Sequence, residues 1–172
     1  MIEPISTEQQ QLVIDQSLTI LNRSCELFQR NFKPLPILFD LKGKAAGMYC
    51  VRGRKRWIRF NPYIFAKYFA DNLANTVSHE MAHYVVDVMY GQRNVRPHGD
   101  EWIEVMKALG AKPERTCQYD LEGVPRRVQK LFEYACACRQ HQLGSCRHNR
   151  VSRGQTQYYC RQCRQTLVFA GQ

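Results

Sequence analysis

The sequence predicts an α+β chain: a helical core carrying a small antiparallel sheet, followed by a separate cysteine-stapled ribbon. Three observations predict it. Apolar residues recur at helical spacing in several long stretches, and three short β-prone runs lie between the first of these and the next. Residues 134–172 then abandon both patterns for paired cysteines and arginines.

Ser6-Thr-Glu-Gln9 has the form of a capping box, with Ser at the N-cap and Gln three residues on. Ile14, Leu18, Leu21, Cys25 and Phe28 follow at helical spacing, which predicts one apolar helix face running to about Arg30. Lys33-Pro-Leu-Pro36 stops it. Residues 37–39, 46–51 and 56–60 read as three antiparallel strands, with turns at Lys42-Gly43 and Gly53-Arg54. Asn61-Pro62 ends the third strand, and residues 63–69 begin helical structure. Asp71 or Asn72 is expected to cap a long helix through about Tyr90, closed by Gly91. After a polar loop, residues 92–97, another helix is expected over 99–109, ended by Gly110. The periodicity fades beyond Lys112-Pro113. The expected division is a core of residues 1–116, a linker of 117–133 and the ribbon of 134–172.

The apolar fraction, 44% of 172 residues, excludes wholesale disorder. No apolar run approaches the roughly 18–20 residues that span a bilayer. The first ten residues show neither a basic nor an apolar leader region, so a cytoplasmic protein is expected. Thiols stay reduced there, and the eight cysteines are then metal ligands or core residues rather than disulfides. Cys25, Cys50 and Cys117 are assigned to the core.

The formal charge of +10 is unevenly spread. Residues 117–172 hold nine basic and three acidic side chains, with no acid after Glu133. Arg outnumbers Lys 17 to 8, and the guanidinium suits bidentate phosphate contact. A polyanion partner, most simply nucleic acid, is the expectation. Arg147, Arg150, Arg153, Arg161 and Arg164 are the candidate contacts, with Arg54, Lys55 and Arg56 of a second basic run. Tyr63, Tyr158 and Tyr159 are candidate stacking platforms, whereas Trp57 is expected in the core.

The chemistry concentrates in Ser78-His79-Glu80-Met81-Ala82-His83. Histidines four apart on a helix share a face and can reach one zinc, and Glu80 is placed to reach a water in the open position rather than the metal. Leu73, Val77, Met81, Val85 and Met89 supply apolar support. A third ligand must come from elsewhere. His98 is preferred, between Pro97 and Gly99 at a helix mouth, with Glu101 and Glu104 as competitors. Asp87, Asp100, Glu101 and Glu104 are candidate partners for the imidazoles. Tyr84 to Gly91 lacks the glycine-and-histidine continuation of a metzincin. In the ribbon, Cys160 and Cys163 form a CxxC knuckle. Cys136 and Cys138 are the preferred upstream pair, His141 the alternative ligand, and Cys146 and His148 weaker ones.

These motifs resemble the SprT family of zinc metalloproteases, whose eukaryotic relative is Spartan. The matching elements are Trp57-Ile-Arg-Phe-Asn-Pro62, His79-Glu-Met-Ala-His83, His98-Gly-Asp-Glu-Trp102, and a ribbon with Tyr134-Ala-Cys-Ala-Cys138, Arg147-His-Asn-Arg150 and Tyr159-Cys-Arg-Gln-Cys163. The likeness is nearest to the small bacterial members. It implies a zincin-like core, His79, His83 and His98 as ligands of a catalytic zinc, Glu80 as catalytic acid/base, and one structural zinc. It also implies peptide-bond hydrolysis of DNA-associated or DNA-crosslinked proteins. A monomer is expected. The alternative is a non-proteolytic, regulatory nucleic-acid-binding zinc protein.

Overall fold

The computed structural model describes residues 2–114, 119–125 and 130–171. The chain divides into two compact units, 1–126 and 127–172.

The first unit opens with α1 (Thr7–Phe28). Its capping box forms as the sequence predicts: Ser6 Oγ accepts from the Gln9 amide and Gln9 Oε1 accepts from the Ser6 amide. Such a cap is worth about 1 kcal/mol. Gln29 closes the helix in a left-handed conformation. The buried stripe is Val13, Ser17, Ile20, Leu21 and Ser24; of the expected face, Leu21 lies in it and Cys25 and Phe28 pack partly buried against the core, whereas Leu18 is exposed. Two serines lie on the core side because each hydroxyl bonds its own helix backbone, Ser17 to the Val13 carbonyl and Ser24 to that of Ile20. Satisfied in this way, they cost little to bury and let the next helix approach closely.

The sheet contains β1 (Ile37–Leu38), β2 (Gly47–Arg52) and β3 (Lys55–Phe60), in the order β1-β3-β2. β2 and β3 form the expected antiparallel hairpin, with Gly53 at positive φ in its turn. β1 pairs with β3 in parallel, which corrects the all-antiparallel expectation. The loop after β1 crosses the end of β3, where the Leu41 amide bonds the Phe60 carbonyl, and enters β2 from that end. β2 therefore runs down and β3 returns in the direction of β1.

Asn61 caps α2 (Pro62–Lys67) by accepting from the amides of Tyr63 and Ile64. The next helical stretch is continuous but not uniform. It runs as α3 (Phe69–Asp71), a π-helical turn (Asn72–Thr76) and α4 (Val77–Tyr90), so neither Asp71 nor Asn72 acts as a cap. Asn72 is buried, donates to the Tyr68 carbonyl at 2.8 Å and accepts from Thr76 Oγ1 at 2.7 Å. Gly91 ends α4 at positive φ, as expected. α5 (Asp100–Ala108) follows. α4 packs against α1, α5 and β2. Val77, Met81, Ala82 and Val85 of α4 meet Phe60, Phe65, Trp102 and Val105 in one apolar core, each large side chain contributing about 1.5–3 kcal/mol. Cys25 packs partly buried against this core, whereas Cys50 does not belong to it. Cys117 lies outside the described residues.

Part of the stretch read as a linker belongs to folded units. Lys67 Nζ binds Asp120 Oδ2 at 2.7 Å, Tyr119 stacks on Tyr68, and Val124 is buried in the first unit. The second unit begins with β4 (Leu131–Ala135), which takes in the last residues assigned to the linker. β5 (Gln140–Gly144), α6 (Ser145–Ser152) and β6 (Val168–Phe169) complete it, in a sheet of order β5-β4-β6. Its core is small: Tyr134, Leu143, Cys160 and Leu167. No helix among the described residues is long and apolar enough to cross a membrane.

Candidate metal centres

α4 delivers His79 and His83 one turn apart on the same face, and the loop before α5 brings His98 to them. The three Nε2 atoms converge, at 3.2 Å (His83–His79), 3.1 Å (His83–His98) and 3.0 Å (His98–His79). Each Nε2 carries either a proton or a lone pair, so at least one of these contacts must set two like groups against each other. A cation drawing on all three lone pairs removes that conflict. Tetrahedral ligands at about 2.0–2.1 Å would stand about 3.3 Å apart, which fits. His98 sits at φ 57°, a left-handed conformation uncommon outside glycine. Its position between Pro97 and Gly99 marked this backbone in the sequence.

Trp102, only 1% exposed, underpins the cluster. Its indole lies nearly parallel to the His83 ring and meets His79 and His98 edge-on, with both centroids 4.7 Å away. The sequence placed Trp102 in a motif but assigned it no role. Neither Glu101 nor Glu104 joins the three-histidine group, and Glu104 is exposed on α5. Asp87 is committed elsewhere, to Tyr49, Arg56 and the Gln92 amide.

Glu80 is 6% exposed and faces β2. Its Oε2 accepts from the Tyr49 amide at 2.7 Å. β2 comes this close because residue 47 is glycine: a Cβ there would stand 2.7 Å from Glu80 Cγ, 2.8 Å from Oε1 and 2.9 Å from Thr76 Cγ2. No sequence motif flagged Gly47 or Tyr49. A cleft of about 280 Å³ lies along His79, Glu80, His83 and His98, walled by Met48, Tyr49, Val95 and Arg96. A second, of about 190 Å³, continues past Glu80 to Lys44, Asn75, Lys112 and Tyr119.

Burial sets the protonation of this site. It pushes His79 down to about 4, with help from His98, and His83 down to about 3, with help from His79 and His98. Burial pushes Glu80 up to about 7 against the opposing Tyr49 amide bond. Both histidines therefore offer lone pairs at neutral pH. The sign for stability follows from linkage. Between about pH 6.5 and 4 the folded, metal-free chain binds fewer protons on these two histidines than the unfolded chain, so stability falls as the pH is lowered. Glu80 acts oppositely between about 4.5 and 7, but one group opposes two. Thermal melts of the chelator-treated protein are expected to drop from pH 6.5 to pH 4.5, and more steeply in Glu80→Gln. A melting temperature indifferent to pH would contradict the burial of the histidines.

The ribbon brings Cys136, Cys138, Cys160 and Cys163 together, with all four ligand atoms within 4.8 Å of one another. Cys136 and Cys138 occupy the β4–β5 turn, closed by a bond from the Cys136 amide to the Arg139 carbonyl. That turn is how a CxC spacing presents two sulfurs 3.4 Å apart. Cys138 Sγ is 3.6 Å from Cys160 Sγ. The Cys163 amide, ahead of other neighbours, holds the Cys160 thiol well below its ordinary value. His141 lies beside the group, its Nε2 3.3 Å from Cys136 Sγ. His148 instead meets the Tyr134 hydroxyl and stacks on Phe132, and Cys146 is exposed outside the cluster.

Among the basic candidates, Arg147, Arg150, Arg153, Arg161 and Arg164 are all exposed in the ribbon, and Arg54 and Lys55 are exposed at the β2–β3 turn. Arg147 lies over the Tyr158 ring. Arg56 is different: its Nε binds Asp87 at 2.6 Å, so its charge is spent within the core unit. Tyr159 is exposed, whereas Trp57 and Tyr63 are half-buried.

The fold and its two side-chain clusters define an α+β protein with a three-histidine and a four-cysteine group, each able to hold a metal ion. The SprT-like family model matches residues 18–125, and the chain belongs to that family. It is 36% identical to the Protein SprT of Pseudomonas paraeruginosa over 151 residues, covering 86% of this chain and 87% of that one. It is 37% identical to the Protein SprT of Cronobacter sakazakii over 160 residues, 92% of each chain. With the Protein SprT of Vibrio parahaemolyticus it shares 34% identity over 169 residues, 97% of this chain and 95% of that one. No solved structure matches.

Proposed function

We propose that the chain is a zinc-dependent endopeptidase with a zincin-like core, acting on DNA-associated or DNA-crosslinked proteins. One observation carries the reading: three imidazole nitrogens converge beside a buried carboxylate that a strand amide holds in place. A purely structural metal site has no need of that carboxylate. Zinc, when bound, supplies an acidified water and a polarised scissile carbonyl. His79, His83 and His98 hold it, and Trp102 keeps their rings in place. Glu80 Oε2 stays on the Tyr49 amide while its carboxylate takes a proton from water and returns it to the leaving amine. The clefts on either side of Glu80 receive the substrate chain. Cys136, Cys138, Cys160 and Cys163 hold a structural zinc, and the exposed ribbon arginines with Arg54 and Lys55 contact DNA phosphates.

The test is cleavage of DNA-binding proteins by the zinc-loaded chain, with and without DNA, in wild type and Glu80→Gln. Two bound zincs, intact DNA binding and no cleavage would instead support a non-proteolytic nucleic-acid-binding zinc protein. DNA affinity is expected to fall steeply as salt rises, and an affinity indifferent to salt would remove the arginine contacts.

Gly47→Ala tests how Glu80 is aimed. The added methyl must displace Glu80 or push β2 away. Activity is expected to fall about 100-fold with zinc fully bound, the size of loss that a displacement of about 1 Å brings. Wild-type activity in this variant would show that the close approach does not matter.

A further inference from the structure

Among the described residues β2 is an edge strand, paired only with β3 in the order β1-β3-β2, so alternate amides along it point away from the sheet. Tyr49 stands opposite Ile58, whose amide turns the other way, to the Pro36 carbonyl at 3.0 Å. The Tyr49 amide accordingly faces outward, and it is the donor to Glu80 Oε2. The same residue is tied a second time. Its hydroxyl donates to Asp87 Oδ2 at 2.7 Å. Arg56 Nε donates to that oxygen at 2.6 Å, and the Gln92 amide to Oδ1 at 2.8 Å. Both oxygens of the buried Asp87 are thereby committed. Tyr49 grips α4 at Glu80 through its backbone and at Asp87, two turns further on, through its side chain.

We infer that Tyr49 is a positioning residue for Glu80, anchored by the Asp87–Arg56 pair; this rests on the reading of Glu80 as the proton acceptor. A glutamate has three rotatable bonds, and a fixed amide donor selects one arrangement of its carboxylate. The amide is fixed only while β2 keeps its place on α4. β3 holds one edge of β2, and the bond from Tyr49 to Asp87 holds the other. Loosening that bond lets the carboxylate wander from its reactive position without altering the metal ligands, and loss of the hydroxyl alone leaves the Tyr49 ring in the cleft wall. The loss should therefore fall on kcat and not on KM.

Tyr49→Phe removes the hydroxyl alone. Asp87→Asn removes the charge that pairs with Arg56 and turns an amide NH2 either toward the Tyr49 hydroxyl and Arg56 together or toward the Gln92 amide, so it weakens the anchor without emptying the site. Both variants are measured as zinc-loaded full-length protein, for cleavage kinetics and for hydrogen exchange of the residue 49 amide by NMR. Tyr49→Phe is expected to lower kcat about tenfold with KM and zinc content unchanged, and to speed exchange at residue 49 by a similar factor. The double variant should lose no more than the worse single one, because both cut the same chain of bonds. Wild-type kcat and unchanged exchange in Tyr49→Phe would overturn the inference. So would a rise in KM at constant kcat. If the wild type cleaves nothing, the reading of Glu80 fails by itself, and the exchange rates still decide whether the Tyr49 hydroxyl secures the grip on Glu80.

Discussion

Glu80→Gln is expected to abolish peptide-bond hydrolysis while the protein keeps its metal and its fold. Glutamine has the shape of glutamate, and its carbonyl oxygen can still accept from the Tyr49 amide. What it lacks is the ability to take a proton. General acid–base assistance is worth roughly 10²–10⁴ in rate, and the loss should fall in that range or beyond it. His79, His83 and His98 are untouched, so zinc content should match the wild type. Stability should not drop either. Burial already disfavours the Glu80 charge, pushing its proton affinity up to about 7, and a neutral amide avoids that cost. The variant is therefore expected to melt at or above the wild-type temperature at pH 8, where the carboxylate is ionised. A variant that cleaves at the wild-type rate would end the proposed mechanism. One that loses zinc as well as activity would mean that Glu80 supports the site rather than moving a proton.

The second large effect is expected from Cys160→Ser. The ribbon's apolar core consists of Tyr134, Leu143, Cys160 and Leu167, far less than a unit of this size needs to fold unaided. A structural zinc contributes about 10–16 kcal/mol of apparent binding energy, and in small metal-stapled units that is the folding energy. Cys160 is the most buried of the four cysteines, and the Cys163 amide favours its thiolate. A serine hydroxyl stays protonated at neutral pH and is a poor ligand. The variant should bind one zinc where the wild type binds two. NMR signals of residues 131–169 should collapse toward those of an unfolded chain, while those of α1, α4 and α5 stay in place. Two zincs and an intact ribbon spectrum would show that the cysteines are ordinary buried thiols.

What was legible in the sequence was what local spacing encodes. Ser6 and Gln9 announce the start of α1 because a capping box is closed within four residues. His79 and His83 are readable because one helical turn puts them together, and His98 because Pro97 and Gly99 mark an unusual backbone beside it. The CxC and CxxC pairs are local in the same sense. What escaped depends on contacts between distant parts of the chain. The buried stripe of α1 takes in Ser17 and Ser24 because each satisfies itself on its own helix, which hydropathy does not register. Arg56 read as a free surface charge because its partner Asp87 lies 31 residues away. β1 read as antiparallel because neighbours in sequence were paired in order, whereas the β2–β3 hairpin left the far edge of β3 open. Tyr49 and Gly47 matter through one amide and one missing methyl, and neither leaves a trace in composition or periodicity.

The π-helical turn at Asn72–Thr76 has a consequence for how this chain can change. A π turn holds one residue more than an α turn, so it amounts to an insertion that the helix has absorbed. Asn72 stabilises it by bonding back to Tyr68 and across to Thr76. Everything downstream, including the face that presents His79 and His83, is rotated by about 100° relative to an uninterrupted helix of the same start. Thr76 and Glu80 meet Gly47 because of that phase. The aim of the histidine face is thus encoded in chain length as well as in residue identity. Evolution can exchange the exposed side chains of this stretch, such as Ala70 and Ala74, with modest penalty, but a single-codon deletion there would turn the site away from the strand that completes it.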